Sequence, residues 1–542
     1  MVSLARVEDR PTPSEVYNWR IYFNAFAATF AAVMIGYDSA FIGTSISLAS
    51  FKREFGLNTL STDQFGVVSA NIVSTFQAGA FFGALFGYPV GYFWGRKYGL
   101  LFSSVIFCIG AALQIGASSK TGLGIVYAGR AICGLAIGAA SNLAPIFVAE
   151  IAPPAIRGRL IGLYELCWQI GGVVGFWINY GVTLHIPAGH KQWIIAFAVQ
   201  LIPGGLLFIG SLLLSESPRW LMSRDREEDA LRSLAYLRNL PRDAPYVQQE
   251  LTETREAIRH ERSLAGAGFF GPLRTVFSSS KLIWRAALAS SLFAWQNATG
   301  INAINYYSPT IFTSIGVTGS SGLLTTGVYG IIKMVGAGIW LMYLIDTLGR
   351  RKILMIGSIG GALSMYYIGA YIAIAEPAEH PSTVLSAGGK SAVAFFYIWT
   401  IFYSPTWNGT PWVVSAEFFP QHVRTFTSAI SGCSNWGWTF IISRFTPQMF
   451  ETMGFGVYLF FASLMILSIP YVYFLLPETK CIPLEYMDDL FGADVKPWNA
   501  YNIVIERVAA NHRKITSQNE AEQGKGDVSM AENTSEKDEE RY

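Results

Sequence analysis

Ala149-Glu150-Ile151-Ala152-Pro153, followed by Arg157, returns later in the chain as Ala416-Glu417-Phe418-Phe419-Pro420, followed by Arg424. Glu and Arg stand seven residues apart in both copies. Gly95-Arg96-Lys97 is echoed by Gly349-Arg350-Arg351, and Glu216-Ser217-Pro218-Arg219 by Pro477-Glu478-Thr479-Lys480. All three pairs are offset by roughly 250 to 270 residues, as expected of one unit used twice.

Between these charged motifs lie long apolar runs. The 542 residues are 51% hydrophobic and 14% charged. A helix needs roughly 20 apolar residues to cross about 30 Å of hydrocarbon, and twelve such runs fall near 21–48, 66–90, 98–117, 123–149, 160–182, 193–214, 286–309, 322–345, 353–375, 391–415, 425–448 and 454–476. Lipid offers no partner to backbone N–H and C=O groups, so runs of this length are helices. The pattern predicts an all-α integral membrane protein with twelve transmembrane helices in two six-helix repeats. Its divisions are an N-terminal segment 1–20, a first half 21–214, a helical middle loop 215–285, a second half 286–476 and a tail 477–542 that is disordered after about 511. Within the loop, Glu227 to Arg238 and Tyr246 to Arg262 carry apolar residues at helical spacing.

Arg96, Lys97, Arg157, Arg159, Arg350, Arg351, Lys352 and Arg424 lie in alternate short connections, which places these loops, both termini and the middle loop in the cytosol. The polar stretch Met1 to Arg20 does not read as a cleavable leader, so the first span is the expected targeting signal. Lysines Lys514, Lys525 and Lys537 in the tail are candidate sites of ubiquitin modification. A formal charge of +2 without a basic, aromatic-interleaved run argues against nucleic acid. Cys108, Cys133, Cys167, Cys433 and Cys481 form no metal-ligand spacing. No metal cluster, nucleophile elbow or phosphate loop suggests an enzyme or a cofactor. Paired glycines such as Gly134 and Gly138 read as close helix packing.

Parallel six-span repeats with cargo held between them describe a rocking secondary transporter. The repeated acids and bases at the cytosolic ends, Arg96, Glu150, Arg157, Glu216, Asp346, Arg350, Glu417, Arg424 and Glu478, are candidate gate residues. Ion pairs between the halves would hold that gate shut; the plainer reading is that they are orientation anchors and helix caps. Lys333 lies near the middle of an apolar helix, where a cation is costly enough to imply a function. It points to an anionic cargo.

With Gly36-Tyr37-Asp38 in the first span and Gln296, Gly300-Ile301-Asn302 and Tyr306-Tyr307 in the seventh, the repeated motifs resemble the sugar porter family of the major facilitator superfamily, over roughly residues 15–492. Within that family the chain is similar to the fungal quinate permeases around Glu8 to Pro13, Gln169 to Gly181 and Asn302 to Pro309. The resemblance implies the major facilitator fold and a proton-coupled importer of the plasma membrane. Asp38 is then the protonated carboxylate and Arg130 its partner. Their depths in the first and fourth spans differ by only about 6 Å at 1.5 Å per residue, so they are able to meet. Such a pair holds a proton or an ion pair, but not both at once.

The resemblance places cargo contacts at Gln296, Asn297, Asn302, Tyr306, Trp412, Asn435 and Trp436. Amides both donate and accept to hydroxyls, and an indole offers a flat apolar surface. Gln296 and Asn302 share the cavity only if the helix unwinds near Gly300. The sequence departs from the sugar pattern at Glu165, where Gln is usual, at Asn297, and at Met334, which replaces an Asn beside Lys333. Tyr92 stands where the first-half gate acid belongs. A polyhydroxylated carboxylate, quinate above all, fits these departures. Lys333 would bind its carboxylate; alternatively Lys333 pairs permanently with Glu165 or its long chain snorkels. Rival functions are a neutral hexose porter and a nutrient sensor that binds cargo without moving it.

Overall fold

A computed structural model describes residues 12–266, 268–317, 320–344, 347–377, 385–480, 482, 487–492 and 495–508. Asp346, Cys481 and the tail lysines, with the disorder expected after about 511, lie outside them. The described chain is helical, and twelve spans follow one another. The first five are Trp19–Ser47, Thr62–Phe93, Arg96–Ile115, Gly124–Ile151 and Pro154–His185. The sixth is His190–Leu213 and the eighth Ser320–Leu344, with Arg350–Ala375, Gln421–Met453 and Gly456–Leu475 as the ninth, eleventh and twelfth. The seventh comes in two pieces, Ser280–Ala298 and Ile301–Ser314. The tenth comes in three, Ala387–Tyr403, a wide π-helical turn Ser404–Asn408, and Thr410–Glu417.

Among the described residues nine helices are long and apolar enough to cross a membrane, and the seventh, tenth and eleventh spans are not among them. Two of these are broken, and all three carry polar side chains toward the centre of the bundle. Elsewhere the outer surface is apolar: Phe82, Phe86, Ile202, Ile209, Leu363 and Leu467 are all more than half exposed, a surface that lipid covers and water would penalise.

Small residues set the packing inside each half. A side chain at Gly134 or Gly138 would fall 2.0 Å from the carbonyl oxygens of Phe76 or Ala80, so the second and fourth spans touch backbone to backbone. The halves meet along two long seams. The second span packs on the eleventh, with Phe81 against Gly437, and the fifth on the eighth, with Phe176 and Trp177 against Gly330 and Gly327. Between the seams, at the end away from the middle loop, the first span closes on the seventh, where a Cβ at Gly43 would lie 1.9 Å from the Tyr306 carbonyl oxygen. The middle loop forms helices Pro218–Ser223, Glu227–Arg238 and Pro245–Ala265, whose apolar faces bury Trp220, Leu234, Val247 and Leu251 together, and Gly271–Ser278, whose Val276 joins the core of the second half.

Candidate functional site

The break in the seventh span builds the site. Gly300 has φ +86°, a left-handed conformation that costs glycine nothing and stops the helix between Ala298 and Ile301. Asn302 then faces the same space as Gln296. In the tenth span Pro405 cannot donate a backbone hydrogen bond, and the chain widens into a π turn. The Nε2 of Gln296 donates to the carbonyls of Trp407 and Asn408 in that turn, at 2.8 Å each, so the two irregular elements lock together.

Around them lies a cavity of about 530 Å³, lined by Glu165, Gln296, Asn302, Tyr306, Lys333, Trp412, Asn435 and Trp436, together with Ser39, Trp168, Asn305, Asn408 and Thr439. Asn297 does not line it. Its amide is consumed in place: Nδ2 donates to Phe293 O at 2.9 Å, while Oδ1 accepts from Asn302 Nδ2 and from the Thr439 hydroxyl. Asn297 therefore steadies Asn302 from behind.

Lys333 is buried, 8% exposed. Its Nζ donates to Asn305 Oδ1 at 3.4 Å. Glu165, on the facing wall, accepts from Gln169 at 2.6 Å and across the halves from Asn408 at 2.7 Å. No direct Lys333–Glu165 ion pair occurs among the described residues; two opposite charges face one cavity, each held by neutral amides. Neither Asn305, Asn408 nor Gln169 was singled out from the sequence. Asn305 stands three residues beyond Asn302, a spacing that puts both on one helix face and was the available signal.

Behind the cavity, Arg130 in the fourth span forms an ion pair with Asp38 in the first, and both side chains are fully buried. The guanidinium also donates to Ile72 O and lies 4.4 Å over the Phe76 ring. Asp38 Oδ2 has no hydrogen-bond partner among the described residues.

At the middle-loop end the repeated motifs form twin arrangements. Arg96 pairs with Glu150 at 2.7 Å and Arg350 with Glu417 at 2.8 Å; Ser217 and Thr479 donate to those same glutamates. Glu216 accepts from the backbone N–H groups of Arg96 and Lys97, and Glu478 from those of Arg350 and Arg351, so each caps a helix start. Burial pushes the Glu216 carboxyl up from its ordinary value, and the N–H donors hold it down. Arg157 and Arg424 donate to Ala152 O and Phe419 O, each just behind it in its own half. Both ion pairs thus lie within a half, not between halves as one reading expected, because the third and fourth spans, and the ninth and tenth, are neighbours in the same six-helix unit. Contacts between halves at this end include Leu341 packed on Gly162 and an aromatic cluster in which Tyr88 meets Phe426 at 5.4 Å and Phe269 of the middle loop at 5.0 Å. Tyr92 joins that cluster, 5.2 Å from Phe269, with Arg224 4.1 Å above its ring.

Known proteins share this architecture. The profile of the family described as "Sugar (and other) transporter" matches residues 24–491. A protein of Aspergillus niger named "Probable quinate permease" is 53% identical over 540 residues, 99% of this chain and 100% of that protein. The "Quinate permease" of Emericella nidulans is 54% identical over 531 residues, 97% and 98% of the two chains. Among solved structures, the proton:xylose symporter XylE bound to 6-bromo-6-deoxy-D-glucose superposes with a TM-score of 0.71 at 24% identity, covering 87% of this chain and 99% of that one. A partially occluded inward-open form of XylE from E. coli gives 0.70 at 23%, over 86% and 100%. With its profile, relatives and twelve-span architecture in agreement, the chain belongs to the sugar (and other) transporter family.

Proposed function

We propose that this transporter imports a small polyhydroxylated carboxylate, quinate above all, together with protons across the plasma membrane, with both termini and the middle helices in the cytosol. The observation that carries the cargo reading is Lys333, a buried cation that faces Glu165 without a direct ion pair to it, in a cavity whose amides and indoles suit hydroxyls. Desolvating an ammonium is expensive unless an anion or hydrogen bonds compensate it, and the described structure supplies one long hydrogen bond. A cargo carboxylate supplies the rest, while Gln296, Asn302 and Asn435 engage its hydroxyls and Trp412 or Trp436 its ring face. The names of its relatives agree.

Coupling falls to Asp38 and Arg130. A proton arriving on Asp38 from outside breaks the ion pair and frees the first span to move against the fourth; loss of that proton inside restores it. The twin Arg–Glu sites and the Glu216 and Glu478 caps hold each half rigid while the aromatic contact opens and closes between them. A second reading, a neutral hexose porter, is favoured by the amides and indoles alone, since these suit any polyol.

Replacing Lys333 with Met separates the two. Hydrogen bonds to charged groups are worth about 1.5–3 kcal/mol, so the Michaelis constant for quinate is expected to rise roughly 10- to 100-fold. An unchanged constant removes Lys333 from carboxylate recognition and leaves the hexose reading.

A further inference from the structure

Asn305 is held in one orientation. Its Oδ1 accepts from the Tyr329 hydroxyl at 2.6 Å and from Lys333 Nζ at 3.4 Å. An ammonium can only donate, so the amide must turn its oxygen, not its nitrogen, toward Lys333. Tyr329 reinforces that choice: it is fully buried, with its ring between Phe176 at 5.9 Å and Phe396 at 5.6 Å, and its hydroxyl donates to no other acceptor among the described residues, so a flipped amide would strand that proton. The Lys333 backbone is pinned too, its carbonyl accepting from the Ser404 hydroxyl at 2.5 Å.

With Oδ1 occupied twice, Nδ2 is left over. It has no hydrogen-bond partner among the described residues and is not among the sealed, unpartnered polar atoms. Asn305 lines both the main cavity and a smaller one of about 300 Å³ beside it, and Lys333 lines both with it. Two donors, an ammonium and an amide N–H, are thus presented from neighbouring helices at one place.

We propose that Asn305 is a specificity residue for the cargo's carboxylate: its Nδ2 donates to one oxygen while Lys333 donates to the other, and Tyr329 acts as a positioning residue by keeping the amide from flipping. A flipped amide would turn an oxygen on the anion and repel it. The assignment rests on the reading of the cargo as an anion, and it adds the second donor that makes recognition directional rather than a matter of charge alone.

The test compares quinate with methyl quinate, which keeps the ring and hydroxyls but carries no charge. Binding of each to the purified full-length protein is measured by calorimetry for the wild type, Asn305→Leu, Asn305→Asp and Tyr329→Phe. The readout is the ratio of the two affinities, which does not depend on the fraction of active protein. The wild type is expected to prefer quinate. That preference should fall at least tenfold in Asn305→Leu, disappear or reverse in Asn305→Asp, where a carboxylate takes Lys333 for itself, and fall by a smaller factor in Tyr329→Phe. A wild-type ratio retained in the Asn305 variants overturns the assignment and leaves Lys333 in place. Equal binding of both compounds by the wild type overturns the anion reading itself.

Discussion

Asp38 spends one carboxylate oxygen on Arg130 and leaves the other without a partner among the described residues. Removing one member of a buried pair strands the other and typically costs about 3–5 kcal/mol, so the choice of substitution matters. Asp38→Asn keeps the shape and mimics the protonated acid. It is expected to abolish accumulation against a gradient while exchange of labelled for unlabelled cargo persists; uphill accumulation in that variant would remove Asp38 from coupling. Both charged sites were legible in the sequence, because a charge inside an apolar run is conspicuous and depth along a helix follows from counting. The neutral amides were harder. Asn305 and Asn408 become cavity residues only after a helix breaks or widens, and the phase beyond such a point cannot be counted; Gln169 lies in the unbroken fifth span, one turn beyond the Glu165 it holds.

At the level of elements, the first and seventh spans meet with no space for a side chain at Gly43. Gly43→Leu should wedge them apart, since overpacking a backbone contact is not absorbed by rotamer change. Uptake is expected to fall to roughly a tenth or less while cargo still binds the purified protein; normal uptake would mean that this contact does not have to close. At the opposite end, aromatic pairs contribute about 0.5–1.5 kcal/mol each, and Phe269 makes three with the second span, to Tyr88, Tyr92 and Phe93. Phe269→Ala should therefore leave that end open more of the time, read as faster labelling of a cysteine introduced at Gln169 by a reagent supplied from the middle-loop side. Unchanged labelling would assign closure elsewhere. Gly300 announced the break in the seventh span, and apolar spacing announced the middle helices. The π turn was not announced, because Pro405 says that one hydrogen bond is lost and not how the chain will re-route.

Over the whole molecule, three motif pairs repeated in register revealed a doubled six-helix unit, and their partners follow from it: antiparallel neighbours within a unit pair with each other. What the repeats could not disclose was that Arg96 and Arg350 each pair with a glutamate of their own half, and that aromatic rings meet between the halves beside them. The seventh, tenth and eleventh spans, the weakest by hydropathy, carry most of the cavity's polar lining. The most direct measurement is uptake of labelled quinate and labelled glucose into cells expressing this chain, with and without a proton uncoupler. Quinate accumulation that collapses with the uncoupler, with little glucose entering, is the expected result; glucose uptake in its place, or quinate accumulation indifferent to the uncoupler, would contradict it.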